Sequence, residues 1–165
     1  MLTKPARYHP LINATVTLLC LSAEKRSNKD KRDHCVAPLM QASVDWTGGV
    51  TLAGINSNGD RIAMDWNNGP SPMQIVLQCA GACSLVDLLE GVKGREVRSA
   101  RVDMTSERAD DYPRVFTKIH MTYHIDSDVP EKMITRLIEK SHEKYCSVGN
   151  MLKYTAEITW SLHAE

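Results

Sequence analysis

The clearest period in the chain is RVFTKIHMTYHID, residues 114–126. Val115, Ile119, Met121, Tyr123 and Ile125 fall on one face, and Lys118, His120, Thr122, His124 and Asp126 on the other. That two-residue repeat predicts a strand with one buried face. EVRSARVDMTSER (96–108) reads as its partner strand, with ADDYP as the turn between them. Upstream, QASVDW, VTLAGIN and RIAMD are three short strand patterns separated by TGG and SNGD. Asn58-Gly59 is the strongest short hairpin signal, so these three form a small antiparallel meander. Between the two strand groups lies MQIVLQCAGACSLVDLLEG (73–91), apolar almost all the way round. Ser71 suits its N-cap, Pro72 its first turn and Gly91 its C-terminal end. Only Gln74, Gln78 and Asp87 make a thin polar stripe. Such a helix is expected to be buried and covered on several sides. One small sheet covers one side, and a second subunit would supply more. A second helix is expected over roughly 130–145, with Met133, Ile134, Leu137 and Ile138 as its buried stripe. A short helical turn after KYCSVGN and a closing strand at AEITWSL complete the order. Strands and helices are segregated, which predicts an α+β fold with antiparallel pairing and two main helices.

The chain has 165 residues, enough for one domain with a real core. Lys+Arg and Asp+Glu both number 20, so no global basic field exists to attract nucleic acid or anionic lipid. Charge is uneven, however. Residues 1–39 carry seven Lys/Arg against three Asp/Glu, and residues 40–165 carry 13 against 17. LINATVTLLCLSA (11–23) follows Lys4 and Arg7 and has the size of a signal-peptide apolar region, but no small-x-small cleavage site follows. EKRSNKDKRDHC (24–35) is a solvated linker pattern. Residues 1–39 therefore read as a basic leader, disordered, targeting or artefactual, and 40–165 as the domain; Met40 is a candidate start. No run approaches the length of a membrane span. No phosphate loop, Ser/His/Asp set or nucleic-acid signature stands out.

Candidate chemistry centres on cysteine. The five, Cys20, Cys35, Cys79, Cys83 and Cys146, are odd in number and irregular in spacing, unlike a secreted disulfide framework. A reducing compartment, with cytoplasm as the default, is expected. Two readings of Cys83 are open: a small hydrophobe filling a gap, or a thiol held dry for chemistry. Cys146 sits among polar residues past the second helix, where it is expected to be more accessible than Cys83. A buried thiol and a boundary thiol would suit a peroxidatic and resolving pair, in which one becomes a sulfenic acid and the other condenses with it. Cys79 reads as core filler. His120 and His124 share the polar face of their strand, so solvent exposure is the simpler reading than a metal pair. His142 and Cys146 are four apart, without the further ligands a zinc site needs; tuning of Cys146 by His142 is the other reading of the pair. Trp46, Trp66 and Trp160 suit either an apolar pocket or core packing.

PSPMQIVLQCAGACSLVDLLEG, TSERADDYPRVFTKIHMTYHI and EKYCSV, in that order and with Cys83 and Cys146 63 positions apart, resemble the osmotically inducible / organic hydroperoxide resistance (OsmC/Ohr) family. The resemblance runs from about Met40 to the end of the chain. It implies an OsmC-like fold, an intertwined homodimer with active sites at the subunit interface, and thiol peroxidase activity on organic hydroperoxides without metal, haem or other cofactor. It implies that Cys83 is the reactive thiol, that Cys146 resolves it, and that a dithiol, such as a lipoylated protein, is the reductant. It involves no nucleic acid and no membrane. The family's peroxidases carry a glutamate ten residues before the reactive cysteine, where this chain has Met73, and an arginine in the early strands, where DWTGGV offers none. Arg108 is the expected substitute, held by Glu107, with Arg114 as a second cation. A thiol needs such a partner because apolar burial raises its pKa. The alternative is a non-catalytic dimer of this fold that binds a small apolar ligand or senses redox state.

Overall fold

A computed structural model describes residues 40–164 of the chain; the expectations for the leader and its two cysteines lie outside the described residues. The elements are β1 (Ala42–Gly48), β2 (Thr51–Asn56), β3 (Arg61–Asp65), α1 (Pro72–Gly91), β4 (Val97–Arg108), β5 (Phe116–Ser127), α2 (Glu131–Lys140), a π-helical turn (Ser141–Tyr145), α3 (Ser147–Leu152) and β6 (Glu157–Ala164). They build the expected α+β architecture around two three-stranded sheets, β1-β2-β3 and β4-β5-β6.

The first sheet is the antiparallel meander the alternation predicts. Its β2–β3 turn closes because the Asn56 side-chain oxygen accepts from the backbone N–H of Asn58 and Asp60, both at 2.9 Å. Gly59 supplies the left-handed conformation there, φ +88°.

In the second sheet, β4 and β5 form a long antiparallel hairpin. β6 then lies on the other side of β5 and runs parallel to it, from Lys118↔Glu157 to Ile125↔Ala164. This corrects the expectation of wholly antiparallel pairing: two helical segments separate β5 from β6, long enough for the crossover a parallel pair needs. On β5 the buried face is Phe116, Ile119, Met121, Tyr123 and Ile125. Val115 is exposed and Phe116 takes its place, because the pairing slips between Glu107 and Arg108.

α1 lies over this face. Ser71 and Gln74 form a reciprocal capping box: Ser71 Oγ accepts from the Gln74 N–H and Gln74 Oε1 from the Ser71 N–H. The run Ala80-Gly81-Ala82 brings helix and sheet close. A Cβ on Gly81 would stand 2.2 Å from Met104 Sδ on β4. Gly91 is the last residue of the helix; a Cβ there would meet Leu137 of α2 at 2.5 Å. Its smallness serves helix–helix contact.

α1 is not buried all round within one chain. Ala80, Gly81, Ser84 and Leu88 are buried, whereas Cys79, Ala82, Val86 and Leu89 are exposed at spacings of three and four. The helix is also long enough and apolar enough to cross a membrane, with a mean hydropathy of 1.4 over its 18-residue window. That corrects the reading that no run reaches such a length; a core helix of a globular protein meets the same test. The second helix is shorter than expected. It ends at Lys140, and the π-helical turn carries the chain to Cys146, which caps α3.

Candidate functional site

Three segments meet at the middle of α1. The helix presents Cys83, Ser84 and Asp87 on adjoining positions of one side, Cys83 and Asp87 being one turn apart. The π-helical turn brings Ser141, and the start of α3 brings Cys146. Tyr123 rises from the buried face of β5.

Cys83 neighbours Cys146 closely enough to be one of the groups that push its thiol up. Cys146 Sγ accepts from the Gly149 N–H at 3.2 Å and lies 3.8 Å from the Ala80 carbonyl oxygen. Cys146 is 1% exposed and Cys83 is half-buried. Their accessibilities are thus the reverse of the sequence expectation. Cys146 has polar neighbours in sequence, but as the cap of α3 it turns inward against α1. Burial pushes its thiol from an ordinary 9.0 up to about 12, and the Gly149 N–H offsets this only in part. Cys79 is exposed and so is not core filler in the single chain.

Beside the thiols runs a buried chain of polar side chains. Ser141 Oγ donates to Asp87 Oδ2 at 2.8 Å. Ser84 Oγ lies 3.0 Å from Ser141 Oγ and 2.5 Å from Tyr123 Oη. Tyr123 Oη lies 2.9 Å from His142 Nε2. Ser84, Tyr123 and Ser141 are each almost fully buried. Burial pushes the Tyr123 hydroxyl up to about 12 and lowers the His142 imidazole below its ordinary 6.5. His142 also stacks on Trp160, ring centroids 6.4 Å apart. Sequence reasoning placed Tyr123 on the buried face and Asp87 on the polar stripe without joining them. The available signal was a tyrosine among isoleucines and methionines, whose hydroxyl requires a buried partner. Nothing marked Ser141.

Arg108 and Arg114 lie elsewhere in the chain. Arg108 Nε donates to the Arg114 carbonyl at 2.8 Å, and Arg114 Nε to the Ala109 carbonyl at 3.2 Å. Both line an apolar groove of about 510 Å³ with Trp66, Met73, Val76 and Phe116. Met73 precedes Cys83 by ten residues, about 15 Å of helix. Within one chain this groove does not include Cys83. Glu107 does not hold Arg108; its carboxylate pairs with Lys118 across the hairpin at 3.0 Å, because the strand pleat sends neighbouring side chains to opposite faces.

The strand histidines are engaged rather than simply solvated. His120 bridges Thr159 and Ser161 at 2.8 and 3.1 Å. His124 lies 3.2 Å from Asp103 and stacks on His163. Among the described residues no cluster of three or more His, Cys, Asp or Glu side chains is placed to hold a metal ion. The tryptophans divide: Trp66 lines the groove, Trp160 packs against the core, and Trp46 stands exposed with its indole N–H on the Gly49 carbonyl.

Comparison with known proteins gives a consistent picture. The family model for OsmC-like proteins matches residues 65–161. Protein YhfA of Escherichia coli K12 is 41% identical over 128 residues, covering 74% of this chain and 96% of YhfA. A hypothetical protein of Aquifex aeolicus VF5 superposes with a TM-score of 0.68 at 27% identity, covering 77% of this chain and 98% of that one. An OsmC-like protein of Mycoplasma pneumoniae gives 0.66 at 16% identity over 78% and 98%. The organic hydroperoxide resistance protein OhrB of Bacillus subtilis gives 0.53 at 16% identity over 76% and 98%, a likeness of fold. By model match, by identity over most of its length and by fold, this chain belongs to the OsmC-like family.

Proposed function

We propose that this protein is a cysteine-based peroxidase of organic hydroperoxides, working in oxidative stress defence. The carrying observation is that a half-buried Cys83 neighbours a fully buried Cys146 and helps to raise its pKa. A peroxide reaches the first thiol, and the second is already in place to close on it. Cys83 attacks as thiolate. Its sulfur bonds the distal peroxide oxygen, the O–O bond breaks, and the alkoxide takes a proton and leaves as alcohol. The sulfenic acid on Cys83 then condenses with Cys146, forming the disulfide and releasing water. An external dithiol, such as a lipoylated protein, restores both thiols. Apolar surroundings favour alkyl or aryl peroxides over hydrogen peroxide, because burial of the organic tail is favourable.

The working form is a homodimer. The exposed stripe Cys79, Ala82, Val86 and Leu89 repeats at coiled-coil spacing along α1 and is suited to packing against its own copy. A partner's Arg108, with Arg114 beside it, is the cation that would steady the Cys83 thiolate. The protein acts in the cytoplasm.

The test is mass spectrometry of reduced protein after one equivalent of cumene hydroperoxide, with Cys83→Ser and Cys146→Ser in parallel. The expected products are a Cys83–Cys146 disulfide in the wild type and a Cys83 sulfenic acid in Cys146→Ser. Absence of oxidation within minutes would remove the peroxidase reading. A second reading, a binder of small apolar ligands, is favoured by the open groove at the start of α1 and by Met73 standing where the family's peroxidases carry glutamate.

A further inference from the structure

The polar chain beside the thiols is unbroken from the edge of the fold to the middle of α1, and its hydrogens have only one fully bonded arrangement. A carboxylate only accepts, so Ser141 spends its single hydroxyl hydrogen on Asp87. Ser84 must then donate to Ser141. Tyr123 must donate to Ser84, and His142 Nε2–H must donate to Tyr123. The one competing acceptor is Met121 Sδ, 3.7 Å from Tyr123 Oη, a weak partner. All donors therefore point from His142 towards Asp87, one helical turn beyond Cys83. A proton entering at His142 can move inward by one hop at each member. No described buried side-chain polar atom is left without a partner, so the chain is a complete network.

We propose that this series of five side chains is a proton relay for the thiol pair, loaded at His142 and discharged at Asp87 when the Cys83–Cys146 disulfide is reduced. The inference rests on reading Cys83 and Cys146 as a redox pair. The incoming dithiol attacks Cys83, the more exposed sulfur. A sulfur–sulfur bond forms there, the Cys83–Cys146 bond breaks, and its electron pair goes to Cys146 Sγ, which takes the relayed proton. The second thiol of the dithiol then displaces Cys83, so the dithiol is oxidised and the protein disulfide reduced. Cys146 needs the proton because a bare thiolate would be stranded in a buried site. Its pKa of about 12 makes it a poor leaving group without an acid. His142 and Asp87, the two ends of the series, are half-buried, and the three hydroxyls between them are buried. The groups facing His142 are Tyr123 from β5, Trp160 from β6 and, through the hydroxyl chain, Asp87 of α1. Its neighbours Glu143 and Lys144 are exposed.

The test forms the disulfide with diamide and follows its reduction by dithiothreitol from about pH 5 to about pH 9, each rate divided by the dithiothreitol thiolate concentration. In the wild type this normalised rate is expected to rise as pH falls through the His142 pKa. In Tyr123→Phe, which cuts the chain and keeps the ring, and in His142→Gln, which keeps a donor but carries no proton, it is expected to be flat. At the acid end both are expected to be slower by on the order of tenfold or more. If Tyr123→Phe does not fold, the half-exposed His142→Gln decides alone. Variants that follow the wild-type profile overturn the relay, as does a wild type in which diamide forms no Cys83–Cys146 disulfide. A wild type inert to cumene hydroperoxide whose diamide-formed disulfide still shows the profile loses the peroxidase reading and keeps the relay.

Discussion

Single residues set the sign of this protein's response to pH. Cys146 and Tyr123 are both neutral when folded, with pKa values of about 12 against ordinary values of 9.0 and 10.0. Between those limits the unfolded chain has lost protons that the folded one keeps, so stability falls as pH rises above about 9. Thermal unfolding followed from pH 8 upward is expected to show a falling midpoint, and Cys146→Ser or Tyr123→Phe to flatten the slope. His142 works on the acid side. Its folded pKa lies below 6.5, so stability falls as pH drops through that value, and His142→Gln is expected to remove part of that loss. At Gly81 the constraint is space, since Met104 occupies the place of any side chain. Gly81→Leu is expected to cost about 1–3 kcal/mol, read from the urea midpoint. Much of this was legible in sequence as residue type, since a buried tyrosine and an all-small run on an apolar helix both announce close packing. The partners were not legible: Ser84, Ser141 and Asp87 meet only because a π-helical turn rotates Ser141 inward, and no local pattern encodes that turn.

At the scale of elements, periodicity read well where one face is buried and one solvated. The β4–β5 hairpin, the meander and the start of α1 follow from alternation, turn residues and the Ser71-Pro72 pair. It read poorly where an element has two environments. α1 is apolar on every side, so the pattern cannot say which face meets the β4–β5 sheet and which is left open. The structure assigns Ala80, Ser84 and Leu88 to the inside and Val86 and Leu89 to the outside. These two faces predict different mutational outcomes. Leu88→Ala, at a fully buried position, is expected to cost about 2–5 kcal/mol of unfolding free energy. Val86→Lys is expected instead to leave the single-chain fold intact and to abolish the proposed dimer, measured by sedimentation equilibrium. It is also expected to raise the alkylation rate of Cys79, which lies on the same open stripe. An unchanged sedimentation mass would remove α1 from the proposed interface.

For the whole molecule, composition showed no global basic field and suggested one domain, and the order of elements gave the α+β class. The pairing of β6 escaped, because its alternation is the same whichever direction it runs along β5. That parallel pairing carries a consequence in time. The β4–β5 hairpin closes between Arg108 and Phe116, eight positions apart (116 − 108), whereas β5 and β6 partners such as His120 and Thr159 are 39 apart. Loop closure alone makes the second pairing about 1.4 kcal/mol more expensive, and it also awaits the docking of α2 and α3. The hairpin is therefore the early event in folding and the third strand a late one. Pulsed hydrogen exchange during refolding is expected to protect β4–β5 amides first. Cys146, which reaches its place only on the path to β6, is expected to meet Cys83 in the same late step.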